Sequence, residues 1–167
     1  MTVGLNSNIK ESDFQRKKLN LVVLLDISGS MESSFNSYYY DGNKKDGEEN
    51  KSKMKIANES VNLLIDELNS DDRLGIVLFE SSSHIAKPLN LVGNTDIDKI
   101  KEHVLDIKSQ GGTNFEAGYD DATELFSEEM LNDSEYENRI IVITDAMPNM
   151  GTTSKDGLAR KSKSKCR

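Results

Sequence analysis

The run Leu21-Val22-Val23-Leu24-Leu25 is apolar without a break and stops abruptly at Asp26-Ile27-Ser28-Gly29-Ser30. Five consecutive apolar residues cannot alternate between core and water, so the segment reads as a strand covered on both faces, the condition of a parallel sheet flanked by helices. The residues that follow it are short and rich in oxygen. Two later segments share this grammar: Gly111-Gly112-Thr113-Asn114 opens a helical pattern, and Ile140-Ile141-Val142-Ile143 runs into Thr144-Asp145. Where strands alternate with helices, the carboxyl-end loops share one sheet edge, and ligands bind there. Asp26, Thr113 and Asp145 are therefore expected at one place.

The chemistry of that place is hard and oxygen-based. Two carboxylates, Asp26 and Asp145, balance a divalent cation, while the hydroxyls of Ser28, Ser30 and Thr113 are neutral donors suited to Mg²⁺, Ca²⁺ or Mn²⁺. Residues 26, 28 and 30 can turn alternate side chains inward, with Gly29 letting the backbone bend between them. A mostly neutral donor set leaves the ion electron-poor, so a carboxylate from a partner can complete its shell.

Asp26-x-Ser28-x-Ser30, Thr113 in a Gly-Gly-Thr turn and Thr144-Asp145 after a strand together resemble the metal-ion-dependent adhesion site of von Willebrand factor type A domains. The order and spacing fit residues 19–151. The resemblance implies a doubly wound α/β fold, Rossmann-like, with a mostly parallel sheet, helices on both faces and one antiparallel edge strand. It also implies Ser28, Ser30 and Thr113 as direct or near-direct ligands, with Asp26 and Asp145 holding the ion directly or through water. Substituting Asp26 or Asp145 by Ala should then abolish metal and partner binding at modest structural cost. The resemblance leaves open whether the domain serves adhesion or, as in ATPase-driven chelatase machines, intracellular assembly.

The remaining elements follow from periodicity. Residues 1–18 form a polar lead-in, and residues 33–52 a low-complexity insert whose Tyr38, Tyr39 and Tyr40 would lie near the binding edge. A helix begins near Lys53, with Ala57, Val61, Leu64, Ile65 and Leu68 on one stripe, and ends at the turn Asn69-Ser70-Asp71-Asp72. Arg73 to Phe79 is a central strand. Ser83 to Leu89 is a shorter, antiparallel edge strand, since Glu80-Ser81-Ser82 is too short for a crossover and Pro88 suits an edge. A capping box at Thr95 and Asp98 opens a second helix through Ile97, Ile100, Val104 and Ile107. A third runs from Asn114 to Leu131, with Phe115, Gly118, Ala122, Leu125 and Phe126 inward, and Arg139 to Asp145 is the last strand. His84 and His103 belong to no spaced ligand set. Glu128-Glu129 reads as a solvated face, and Glu32 and Asn114 adjoin the site as candidates for orienting its ligands.

Composition bounds the function. The chain has 167 residues, 21 Lys+Arg against 29 Asp+Glu, and a formal net charge of −8, which disfavours nucleic-acid binding and favours cations or basic partners. Cys166 is the single cysteine, so no intramolecular disulfide forms. No segment supplies the roughly 20 apolar residues that span a bilayer, and the polar first twenty lack a secretory signal, so no membrane insertion and an intracellular setting are the default expectations. An Mg²⁺-dependent phosphohydrolase would need a second carboxylate two residues after its nucleophile, where Ser28 stands. No GxxxxGK[ST] loop or Ser-His-Asp set appears, so the chain is expected not to be an enzyme.

Two departures from the family pattern stand out. Ala146-Met147-Pro148-Asn149 follows Asp145 where many relatives place Gly, and residues 152–167 are polar and basic, with five cations in the last eight. The fifth and sixth strands of a type A sheet are not legible, which makes the domain read as truncated, with the strand at 139–145 an exposed edge. The expected outcome is marginal stability or aggregation of the isolated chain, checked by thermal unfolding; a cooperative, monomeric transition well above room temperature would contradict it.

Overall fold

A computed structural model describes residues 16–34 and 51–145 of the chain. Within them lies a four-stranded sheet of order β3-β2-β1-β4, built from β1 (Lys18–Asp26), β2 (Arg73–Phe79), β3 (Ser83–Leu91) and β4 (Tyr136–Ile143). The helices are α1 (Lys53–Asp66), α2 (Ile97–Leu105), α3 (Phe115–Glu124) and α4 (Glu128–Asn132). The readings made on residues 1–15, on the insert with Tyr38 to Tyr40, on Ala146 to Asn149 and on the basic tail lie outside the described residues.

β1 is the strand on which the rest is assembled. It pairs parallel with β2 on one side and with β4 on the other, while β3 returns antiparallel at the edge. Its alternate residues divide the core in two. Leu21, Val23 and Leu25 pack with Ala57, Val61 and Ile65 of α1 and Val104 of α2, whereas Val22 and Leu24 pack with Phe79, Leu89 and Ala122 of α3. Each of these β1 side chains is at most 1% exposed, worth roughly 1.5–3 kcal/mol apiece against the exposed state. The doubly wound α/β expectation, with helices on both faces and one antiparallel edge, is what the structure has. At Gly118 of α3 an added Cβ would sit 2.7 Å from Phe79 Cβ, so the missing side chain is what lets this helix lie against the sheet.

Several boundaries move from the sequence reading, each for a local reason. β3 is as long as β1, nine residues, rather than a short strand. Its register shifts opposite Ile76, and the buried Lys87 ammonium there donates to the Leu74 carbonyl at 2.7 Å. Asp96, rather than Thr95, caps α2 by accepting from the Lys99 amide; the Thr95 hydroxyl donates back to Leu91 O. The single helix expected from Asn114 to Leu131 is two, because Ser127 turns its hydroxyl to the Met130 amide and starts α4. That places exposed Glu128 and Glu129 in the first turn of a helix, where the dipole favours them. β4 begins at Tyr136 and ends at Ile143, so Asp145 lies two residues beyond the strand. Among the described residues β4 is the sheet edge, with Val142 38% exposed.

Asp72 departs furthest from expectation. Read as part of a simple helix-ending turn, its carboxylate is fully buried and accepts from the Leu19 amide (2.8 Å), the Asn69 amide (2.7 Å) and the Arg16 guanidinium (2.6 Å). Burial alone would raise its pKa, but the Arg16 hydrogen bond and the two amides prevail and hold it below the ordinary value. The carboxylate thereby pins the start of β1 to the α1–β2 turn. Asp72→Ala is expected to cost about 3 kcal/mol, since it leaves buried donors and a guanidinium without their partner; urea unfolding reads this, and an unchanged midpoint would contradict it.

Candidate metal centre

In the sheet order, β1 has β2 on one side and β4 on the other, so the chain's direction of growth reverses at β1. The carboxyl ends flanking such a reversal leave a crevice between their loops. Registers Asp26↔Phe79 and Leu25↔Ile143 bring the loops after β1, β2 and β4 to one level on this edge.

Asp26 is fully buried at the end of β1. Its Oδ1 accepts from the Ser28 amide at 2.8 Å and its Oδ2 from the Thr144 hydroxyl at 2.5 Å, leaving a lone pair on each oxygen. Ser28 Oγ and Ser30 Oγ are 3.1 Å apart, and Ser30 Oγ donates to Asp145 Oδ1 at 2.8 Å. Because Ser30 gives its proton to a carboxylate, Ser28 is the donor between the two serines. The hydroxyl protons thus run in one direction, toward Asp145. The Lys53 ammonium, from the first turn of α1, lies 2.5 Å from the other Asp145 oxygen.

Thr113 is buried, on a loop bound to the same corner through its backbone. The Gln110 amide donates to Ile27 O at 2.6 Å, and the Gly29 amide to Gly111 O at 3.1 Å. The backbone does turn at Gly29, which opens a 3-10 turn over Gly29–Glu32, but the positive φ of this corner, +70°, belongs to Gly111. A Cβ at Gly111 would run into the Glu80 carboxylate, so both backbone conformation and space require glycine. Asn114 caps α3 and its amide bonds to Glu80 O at 2.5 Å, while Glu32 accepts from Ser109 Oγ at 2.7 Å. These two residues tie loops together. The structure therefore joins Asp26, Ser28, Ser30 and Asp145 through hydrogen bonds and holds the Thr113 turn beside them.

Three residues at this corner escaped the sequence reading of the site. Thr144 was noted only as the neighbour of Asp145. Lys53 carried a faint signal, a cation in a helix's first turn, where the dipole disfavours it. Glu80 gave none, because its place depends on the β1–β2 register. Its carboxylate accepts from the Ser82 hydroxyl (2.8 Å) and the Ser81 amide, against the Gly111 turn.

The donor set fits a hard divalent ion. Among the described residues no three acidic, imidazole or thiol groups gather, so any such site has to rest on two carboxylates and hydroxyls rather than on a carboxylate cage. The Lys53 ammonium on Asp145 shows that the corner already accommodates a positive group. Ser82 and Ser81 hold the Glu80 pKa down to about 2, from an ordinary 4.5. A depressed carboxylate pKa contributes stability that is complete above about pH 4.5 and is lost as pH falls toward 2. Glu80→Gln should therefore unfold with a shallower acid dependence across that window, followed by circular dichroism; superimposable pH profiles would contradict the assignment.

Comparison with known proteins agrees with this architecture. The pattern of the von Willebrand factor type A domain matches residues 21–148. Inter-alpha-trypsin inhibitor heavy chain H4 of Bos taurus is 29% identical over 140 residues, 81% of this chain but 13% of its own length. Among solved structures, a D319A mutant of the PilB minor pilin from Streptococcus sanguinis aligns with TM-score 0.62 at 17% identity, over 80% of this chain and 31% of the pilin. Proximal thread matrix protein 1 from the mussel byssus gives TM-score 0.62 at 23% identity, over 89% and 36%. The chain thus spans a small part of each of these relatives, and what it shares with the solved structures is the fold. With the matched pattern covering most of its length, the chain belongs to the von Willebrand factor type A domain family.

Proposed function

We propose that this domain is a divalent-cation-dependent protein-binding module, whose ion is held by Asp26, Ser28, Ser30, Thr113 and Asp145 and whose shell is completed by an acidic residue of the partner. The observation that carries the reading is the continuous chain of oxygen groups Ser28–Ser30–Asp145, set beside the buried Asp26 at the sheet's reversal point. Membership of the type A family supports the coarser statement, an interaction module. The donor chemistry supports the cation.

Mg²⁺, or Ca²⁺ or Mn²⁺ in its place, would supply a Lewis-acidic point to which a carboxylate can bind. The chain's own residues do the positioning. Thr144 and the Ser28 amide fix the Asp26 carboxylate, Ser30 orients Asp145, and the Gly111 turn sets the loop that carries Thr113. Ser28, two residues beyond Asp26, supplies a hydroxyl where an aspartate-based phosphotransferase needs a second carboxylate, which favours binding over catalysis.

The two aspartates are not equivalent as test sites. Asp26→Ala would remove the acceptor of the buried Ser28 amide, at about 1–3 kcal/mol, so the modest cost anticipated for both aspartates applies to Asp145 alone. Asp145→Ala is thus the informative variant. At Mg²⁺ or Mn²⁺ about a hundredfold above Kd, the wild-type chain should gain about 2.7 kcal/mol of unfolding free energy, and the variant none. Chelator should abolish partner binding. Equal stability in metal and chelator, or partner capture that survives chelation, would overturn the reading.

A further inference from the structure

Lys53 is placed by backbone rather than by chance. Its amide donates to Ser33 O at 3.0 Å, the Ser33 amide donates to Ser30 O at 3.1 Å, and Ser34 bridges Ser52 across the neck of the insert. The first residue of α1 is thereby tied to the serine loop, and its side chain has a short path to Asp145. The α1 dipole opposes a cation at this end of the helix. What holds the ammonium is Asp145, whose Oδ2 it meets at 2.5 Å while Oδ1 is engaged by Ser30. The Lys53 and Asp145 side chains are 32% and 12% exposed, against 73% and 56% for the surface pair Lys99–Asp96, although the bond between them lies at the exposed rim of the corner and is screened in part.

We propose that Lys53 is a tethered competitor for the cation site: in the metal-free protein its ammonium neutralises Asp145, and a divalent ion engages that carboxylate only by displacing it. The inference rests on the reading of this corner as a cation site. It adds a regulator that the ligand set does not contain. Asp145 Oδ2 keeps a second lone pair, but a metal bound through it would lie only about 4 Å from the ammonium, and the repulsion between the two positive charges at that distance favours release of the lysine. The exchange needs no movement of α1, since the four-carbon stem of lysine can swing its head group to water. Metal affinity would then be set below what the oxygen donors alone would give, by the strength of one ion pair.

The test is calorimetric titration of Mn²⁺ into the full, chelator-stripped chain as wild type, Lys53→Gln and Lys53→Arg, with thermal unfolding of each in chelator and in saturating Mn²⁺. Lys53→Gln should bind Mn²⁺ about fivefold tighter, the value of one partly screened ion pair, whereas Lys53→Arg, which keeps the charge, should not tighten. In chelator Lys53→Gln should melt below wild type, because Asp145 has lost its counter-ion, and Mn²⁺ should raise its melting temperature more than that of wild type. Detectable binding by Lys53→Gln and none by wild type would be the strongest form of the same result. Equal or weaker binding by Lys53→Gln than by a wild type that does bind would overturn the competitor and leave the cation site standing. No Mn²⁺ bound by either chain would overturn the site itself, and the competitor with it.

Discussion

A carboxylate at the end of a fully covered strand is the constraint around which this domain is arranged. β1 is buried at every position from Asn20 to Asp26, so Asp26 has no access to bulk water with which to offset the loss of hydration. Such a group persists in an interior only where donors are already waiting for it. One donor comes from its own loop, the Ser28 amide, and the other from beyond β4, the Thr144 hydroxyl. The parallel register of β1 with β4 is therefore also the condition for satisfying Asp26. A slip along β4 would remove a ladder, the Thr144 hydrogen bond to the buried Asp26 and the approach of Asp145 together.

Charge at this edge is arranged against the overall balance of the chain. The whole sequence carries −8, yet the positive groups that matter here are local and specific. Arg16 reaches the buried Asp72 at one end of β1, and Lys53 reaches Asp145 beyond the other. Glu80 uses hydroxyl and amide donors instead, and so braces the Gly111 turn without adding a cation. At the carboxyl end of the sheet Asp26 and Glu80 are held by neutral donors, whereas Asp145 is held by the Lys53 ammonium as well as by the Ser30 hydroxyl.

Much of the fold was legible in the sequence because it depends on period and on short punctuation. The apolar runs of β1 and β2, the stripe of α1 and the tight Glu80-Ser81-Ser82 connection each declare themselves within a few residues, and β2 was read to its exact ends. The candidate ligands were picked out as oxygen-bearing side chains at strand ends, and the structure gathers Asp26, Ser28, Ser30 and Asp145 at one corner. What stayed hidden depends on partners distant in sequence. Asp72 is indistinguishable from its neighbour Asp71 until Leu19 and Arg16 arrive from more than fifty residues away. Glu80 and Lys53 acquire their roles only when β1 is set between β2 and β4. Competition between local hydrogen bonds decided the rest: Ser127 broke a helix that periodicity would have continued, and Asp96 displaced Thr95 as a cap.

The most direct measurement is an anomalous difference map from crystals of the chain grown in Mn²⁺. The predicted result is one strong peak enclosed by oxygens of Asp26, Ser28, Ser30, Thr113 and Asp145, with the Lys53 ammonium withdrawn from Asp145. A crevice without a peak at saturating Mn²⁺, with Lys53 still paired to Asp145, would contradict the assignment of this corner as a cation site.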